Sequence, residues 1–584
     1  MRKTKIICTL GPATETEDTL KQMILSGMDV ARLNFSHGSA EHQKKYADMV
    51  KKLRRQLDRP TALMLDTKGP EIRTGVFEKP VTLKTGSQFT LTTRDIVGTE
   101  AAASVSFAHL PAEVAPGSRI LIDDGLIELK VNSATNTDIF CTVVNGGAVS
   151  SRKSINVPGM HLSLPFISEK DRNDIAFAVR EDFDFIAASF TRNAQDIIDL
   201  RSELEKLDCH KIRIIAKIEN SEGVRNIDDI IRVSDGIMVA RGDLGVEIPF
   251  EEVPIVQKRL IKKASDAGLQ VITATQMLDS MIKNPRPTRA EAADVANAIY
   301  DGTSAIMLSG ETAAGAYPIL AVQTMAKIAE CTESAIDYVL RFNQNSPGGK
   351  SDVTSAISHA TCTTAHDLGA KAILTVTQSG RTARMISKYR PNCPIISGTA
   401  DPTVLRQMNL SWGVTPILVE EKDNTDELFD HVVSVAKAHG LVKDGDLVVI
   451  TAGVPLKMSG TTNLLKVQLV GNILVSGKGA TKGAVCGNVC VCKNAEEVKT
   501  TYKQGDILVM PETSNELLPF LKTATALITE RAGMNSHAAI VGMALGKPVI
   551  VGAQNATKIL KSGTTVTVDS TRGIIYSAAG KMPR

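Results

Sequence analysis

No stretch of the sequence offers the roughly 18 consecutive apolar residues that a membrane-spanning helix needs, so none is expected to cross a bilayer. The opening segment MRKTKIICTLGPATETED has an apolar run too short for the core of a secretion signal, and a cytoplasmic chain is expected. Charge of one sign is not in excess either: 67 Lys and Arg against 64 Asp and Glu leave a net charge of +3. That balance argues against bulk binding to nucleic acid or a membrane surface. The nine cysteines are scattered and fit reduced thiols rather than a disulfide framework. Cys486, Cys490 and Cys492 cluster, but their spacing matches no common zinc pattern, and Cys490 and Cys492 alternate as residues of one strand. Strict internal repeats and low-complexity tracts are also missing.

What is present is a series of eight short apolar runs: residues 3–10, 30–36, 62–67, 183–189, 213–219, 236–243, 271–276 and 305–311. Helical patterns separate most of them, so the first 340 residues read as a strand–helix unit repeated eight times, an α/β chain closing into a (β/α)8 barrel. Such barrels place chemistry at the carboxyl ends of their strands. Here those ends carry Arg32, Asn34, Asp66, Lys217, Glu219, Arg241, Asp243, Thr275 and Glu311. Cations and carboxylates crowded on one rim suit a phosphorylated, metal-bound substrate.

At 584 residues the chain is too long for one ordinary core. The barrel is expected over 1–69 and 168–341, interrupted by Gly- and Pro-punctuated β-type segments at 70–167 that read as an inserted lid. A polar connector at 342–352 leads to an α/β region reaching 473, and a smaller α/β module follows from 474 to 584.

Glu219 and Asp243, at the ends of neighbouring strands, are expected to face each other and to hold Mg²⁺ (or Mn²⁺) together with substrate oxygens and waters. The alternative is that they form ion pairs with Lys217 and Arg241. Lys217, two residues before Glu219, lies on the same side of its strand, where an ammonium stabilises charge developing on a substrate oxygen. The segment RGDLG runs into FEEVPIVQKRL, a helical pattern whose first N–H groups could receive a carboxylate or phosphate. Arg32 is a phosphate clamp by residue type, and Asn34, Ser36, Asp66 and the Thr67 carbonyl are oxygen donors suited to a monovalent cation. His37 reads as a local polar group.

Seven motifs, MRKTKIICTLGPAT, ARLNFSHG, LDTKGPEIRTG, KIEN, ARGDLG, ATQMLDSM and MLSGETAAG, resemble in order the motif series of the pyruvate kinase family. The resemblance covers 1–340, with the next region fitting that family's C-terminal domain to about 473. It implies transfer of the phosphoryl group of phosphoenolpyruvate to ADP, the last step of glycolysis. It assigns Arg32 and Lys217 to the transferring group, Glu219 and Asp243 to the divalent metal, and Gly242, Asp243 and Thr275 to the substrate carboxylate. Asn34, Ser36, Asp66 and Thr67 become a K⁺ site, with Glu71 the residue type of K⁺-dependent members. Arg73 and Lys153 become nucleotide-phosphate contacts. A homotetramer is implied by the resemblance alone.

The turn TVTQSGRTAR offers Thr377, Ser379, Gly380, Arg381 and Thr382 as a phosphate cradle, and the resemblance implies that a phosphorylated effector binds there, with residues 451–463 as a second loop. The last 110 residues contain GMNSHAAIVGMALGKPVIVG, similar to the phosphohistidine domain of phosphoenolpyruvate-utilising enzymes, with His537 at the carrier position. Met534 and Met543 depart from that pattern, and a structural or regulatory appendage is the expectation. The alternatives are another metal-dependent barrel enzyme acting on phosphoenolpyruvate or an enolate, and an idle sensor or phosphocarrier.

Overall fold

The structure, a computed structural model, describes residues 2–36, 38–344, 352–455, 462–471 and 473–577. His37 and residues 456–461 of the second expected loop lie outside the described residues. The chain falls into two compact units, and the expected α/β region contributes to both.

In the first unit, Lys5–Thr9, Val30–Asn34, Ala62–Asp66, Phe185–Ala188, Arg213–Ile218, Gly236–Ala240, Gln270–Ala274 and Ala305–Leu308 form a closed barrel in chain order. All eight pairings are parallel, and the last strand returns to the first through Lys5↔Ala305. These strands are the eight apolar runs. Nearly every residue is buried because one side faces the barrel interior and the other faces helices, which removes the polar–apolar alternation of a half-exposed strand. Ile7, Met64, Phe185, Ile215, Met238 and Ile272 fill the interior, and Leu410 joins them. The fully buried Phe183, Leu20, Met23, Leu33 and Leu53 belong to the layer between strands and helices.

Between the third and fourth barrel strands the chain builds a seven-stranded sheet and a two-stranded ribbon. Their strands alternate inward and outward, as Ile127–Ala134 does with Ile127, Leu129 and Val131 in the core. The same unit holds the parallel pair Ile395–Thr399 and Val414–Leu418 with the helices Arg381–Lys388 and Pro402–Met408.

The second unit contains the helix Thr425–Ala438 and an eight-stranded sheet of residues 473–577. Strand Ala484–Val491 contains Cys490, whose Sγ lies 3.6 Å from that of Cys492; both thiols are buried, whereas Cys486 is exposed. Among the described residues no helix is long and apolar enough to cross a membrane.

Candidate active site

The carboxyl ends of the barrel strands bring together a buried cluster of two cations and three carboxylates. Strand pairing sets Asn34 opposite Asp66 and Lys217 opposite Met238, so the second and third strands and the fifth and sixth deliver side chains at similar heights. The Lys217 ammonium lies 3.0 Å from Glu219 and 3.1 Å from Asp66, and donates to Ser189 Oγ at 2.8 Å. Arg32 Nε donates to the other Asp66 oxygen at 2.6 Å, and Nη1 to Thr9 Oγ1 at 2.8 Å. Burial works against the charge of Lys217, but the Asp66 and Glu219 carboxylates outweigh it and hold the ammonium above its ordinary value. Burial also acts on Asp66, yet Arg32 and Lys217 overcome it and keep this carboxyl below its usual range.

Glu219 behaves in the opposite way. Burial, reinforced by the charges of Asp243 and Asp66 and only partly offset by Lys217, pushes it up to about 7. Burial likewise raises Asp243, which is hydrogen-bonded to Glu219. Two adjoining carboxylates, both reluctant to ionise, form a donor set that fits a hard divalent cation. Of the two ion pairs weighed as an alternative, only one forms. Glu219 meets Lys217, whereas Arg241 leaves Asp243 for Asp294 at 2.7 Å.

FEEVPIVQKRL is helical, as expected, and the RGDLG segment before it is helical as well. Arg241–Glu247 is a short helix of its own, and the longer Val253–Asp266 begins after an extended break at Ile248. The Gly242 N–H donates to Thr275 Oγ1 at 2.8 Å, so a substrate carboxylate would take over a donor that the threonine hydroxyl now satisfies. Thr275 sits at φ +67 and Gln276 at φ +54, a left-handed conformation costly for a β-branched residue. Arg241 fastens that turn, with Nη2 donating to the Thr275 carbonyl at 2.7 Å. Arg241 therefore serves the backbone rather than the rim. Glu311 does the same, accepting from the Leu278 and Ser309 amides.

The oxygens assigned to a monovalent cation also gather at this rim. Asn34 Oδ1 accepts from the Ser36 amide at 3.0 Å, and the Thr67 carbonyl accepts from Ser189 Oγ at 2.7 Å. Asp66 is the member shared with Arg32 and Lys217. As oxygen-only donors on adjoining strand ends, the set fits such an ion.

Arg73 and Lys153 lie on the inserted sheet. They line a cavity of 290 Å³ together with Asp123, Asp124, Asn156, Phe190, Asp243 and Glu247. Glu71 grips Arg73 with both oxygens, at 2.9 and 3.0 Å, and Lys153 pairs with Asp123 at 2.9 Å. Of the two adjoining carboxylates Asp243 reaches this cavity, and it joins the buried cluster to the inserted sheet.

Sequence reasoning missed Ser189, Phe190 and Glu247. Ser189 ends a run read as a strand, so its position was available. Phe190, at φ +56, turns its amide onto Glu219 at 2.6 Å, a backbone role that no side-chain pattern signals. Glu247 accepts from Asn156 of the inserted sheet at 3.0 Å.

At the expected effector turn, Gly380 at φ +74 precedes helix Arg381–Lys388. Thr382 shares a hydrogen bond of 2.8 Å with Thr462, Arg381 is half-exposed 3.9 Å from Asp352, and Thr377 is buried with its amide bonded to Gly398. The Ser379 carbonyl accepts from Arg213 and Arg384. In the second unit, His537 opens helix His537–Leu545, its Nδ1 2.8 Å from Thr513 Oγ1 and its Nε2 2.9 Å from Asn515 Oδ1.

Comparison with known proteins adds three family matches: the pyruvate kinase barrel domain over residues 1–322, the pyruvate kinase alpha/beta domain over 355–468, and the mobile domain of PEP-utilising enzymes over 502–573. The chain is 50% identical to a pyruvate kinase of Geobacillus stearothermophilus over 578 residues, which covers 98% of each chain. It is 48% identical to one of Sporosarcina psychrophila over 580 residues, 99% of each. A solved pyruvate kinase from Cryptosporidium parvum matches at a TM-score of 0.76 and 42% identity, over 80% of this chain and 96% of that one. The bacterial relatives extend through the extra C-terminal module, so that module is shared rather than an isolated fusion. With barrel, alpha/beta region and terminal module all matched, the chain belongs to the pyruvate kinase family.

Proposed function

We propose that the rim cluster carries out the family's reaction, moving the phosphoryl group of phosphoenolpyruvate to ADP with release of pyruvate. The observation that supports it best is Lys217 held between Glu219 and Asp66, with Arg32 on the far side of Asp66. Positive charge is thereby fixed before substrate arrives, which is the form of catalysis that phosphoryl transfer rewards.

A terminal oxygen of ADP attacks phosphorus in line, and the bond to the enol oxygen breaks. Arg32 and Lys217 neutralise charge on the group in transit, and Lys217 then faces the enolate oxygen left behind. Thr275 and the Gly242 and Asp243 amides orient the substrate carboxylate, while Arg73 and Lys153 hold the nucleotide phosphates. Glu219 and Asp243 would hold Mg²⁺ (or Mn²⁺), whose charge lowers the cost of bringing anionic phosphates together. Asn34, Ser36, Asp66 and Thr67 would hold K⁺. The enolate finally takes a proton at carbon.

The proposal also includes the domain division 1–69 with 168–341, 70–167, 342–473 and 474–584, with the inserted sheet acting as a lid. It includes a phosphorylated activator at Thr377, Ser379, Gly380, Arg381 and Thr382, a cytoplasmic location and a homotetramer. The test is pyruvate release from phosphoenolpyruvate plus ADP, omitting Mg²⁺ and K⁺ in turn. Release that needs ADP and both ions is expected. Pyruvate formed without ADP would favour a phosphatase or phosphocarrier route.

A further inference from the structure

Far from the catalytic rim, at the amino-terminal ends of the seventh and eighth barrel strands, a small, partly open cavity of 10 Å³ is lined by Ser265, Gln270, Ser304, Arg384, Lys388 and Arg390, among others. The volume admits one particle of about the size of a water molecule. It excludes a phosphate or a carboxylate ligand.

Two buried polar atoms without a hydrogen-bond partner, Arg390 Nη1 and Ser265 Oγ, belong to residues that line this one cavity. Arg390 is only 9% exposed. Its Nη2 is satisfied by the Gly302 carbonyl at 2.8 Å and Ser304 Oγ at 3.2 Å, and its plane lies 4.7 Å from the Trp412 ring centre. Ser304 Oγ also accepts from the Val271 amide at 3.2 Å, so it already holds two donated hydrogens. Gln270 Nε2 is committed to Ser411 Oγ at 2.8 Å.

The lining thus offers three cationic side chains and no carboxylate. Leaving a buried donor and an incompletely compensated guanidinium without a partner is costly. Burial presses the Arg390 guanidinium down to about 9, with the neighbouring Arg341 adding to it and Tyr338 and Glu333 opposing it. A water molecule would satisfy the orphan donor, and the Ser265 hydroxyl or the Gln270 carbonyl oxygen could take its protons, but it would set no negative charge opposite three cationic side chains. A spherical anion accepts from every side and supplies that charge.

We infer that this cavity is a binding site for a single halide ion, held by Arg390 Nη1 and the Ser265 hydroxyl between the barrel floor and the start of the α/β region. Helix Arg381–Lys388 supplies Arg384 and Lys388 to the lining, so the ion fastens that helix to the barrel.

The test uses the whole protein crystallised in sodium bromide in place of chloride, with data collected at the bromine absorption edge. An anomalous peak within hydrogen-bonding distance of Arg390 Nη1 and Ser265 Oγ is expected. In solution, chloride or bromide should raise the unfolding midpoint by about 1–3 °C over gluconate at equal ionic strength. Ser265→Ala, which removes an unpartnered hydroxyl and leaves the fold intact, should reduce that shift, and Arg390→Met should abolish it where the variant folds. An ordered water without anomalous signal overturns the inference whatever the solution data show. A midpoint equal in all three salts, or a shift untouched by Ser265→Ala, also counts against it.

Discussion

In the proposed reaction the chemistry turns on Lys217, which touches both Glu219 and Asp66. Its charge is held in place by carboxylates that the substrate does not supply, so its removal should weaken the transition state more than the ground state. Lys217→Met is expected to lower kcat by roughly 10²–10³-fold with little change in the KM for phosphoenolpyruvate. Steady-state kinetics checks this, and near-normal turnover would remove the lysine from its role. Glu219 supplies a second prediction. Its carboxyl is raised to about 7, so below that pH the proton and the divalent cation compete for the same oxygens. The sign follows: cation affinity is full above pH 7 and falls by up to about tenfold per unit below it. Mg²⁺ activation curves at pH 6, 7 and 8 measure the trend, and a half-saturation constant independent of pH would contradict it.

At the scale of elements, the short helix Arg241–Glu247 links two functions. It presents Asp243 to Glu219 at one end and accepts the lid residue Asn156 at Glu247 on the other. Val246 of the same helix also packs beside Gly125 of the lid turn. Asn156→Ala removes one hydrogen bond to a carboxyl that burial already raises, a loss of about 1 kcal/mol. That corresponds to roughly a fivefold higher KM for ADP, with kcat less affected. An unchanged KM for ADP would mean that the bond does not help to hold the lid.

This helix also shows where the sequence was hard to read. Gly242 and Gly245 fall within seven residues, and two glycines argue against a helix on propensity. Tertiary contacts overrode that preference. The eight barrel strands were legible because each is a short apolar run buried on both faces. Strand ends, however, indicate where a charged side chain begins and not what it meets. Arg241 and Glu311 stand at such ends and bind backbone, while the unremarked Ser189 sits inside the cation–carboxylate cluster. The lid's Arg73 and Lys153 carry no local signal of function, and their assignment came from the motif resemblance alone.

Across the whole molecule, the open question is whether the terminal module takes part in phosphoryl chemistry. The family match over 502–573 is to a mobile domain of PEP-utilising enzymes, which makes His537 the residue to test. Its surroundings are those of a held side chain. Nδ1 lies 2.8 Å from the Thr513 hydroxyl and Nε2 2.9 Å from Asn515 Oδ1, so both ring nitrogens are engaged in hydrogen bonds. A phosphoryl acceptor needs a ring nitrogen with its lone pair free, and here each nitrogen already has a hydrogen-bond partner. Met534 and Met543 are both exposed and bring no charge to balance a phosphate. Radiolabelled phosphoenolpyruvate should therefore leave no acid-labile label on His537, and His537→Ala should retain pyruvate formation within about twofold. Label recovered on the histidine peptide, lost in His537→Ala, would make the module a phosphocarrier. The same label accompanied by a large fall in turnover would place His537 on the catalytic route and overturn the assignment of transfer to the barrel rim alone.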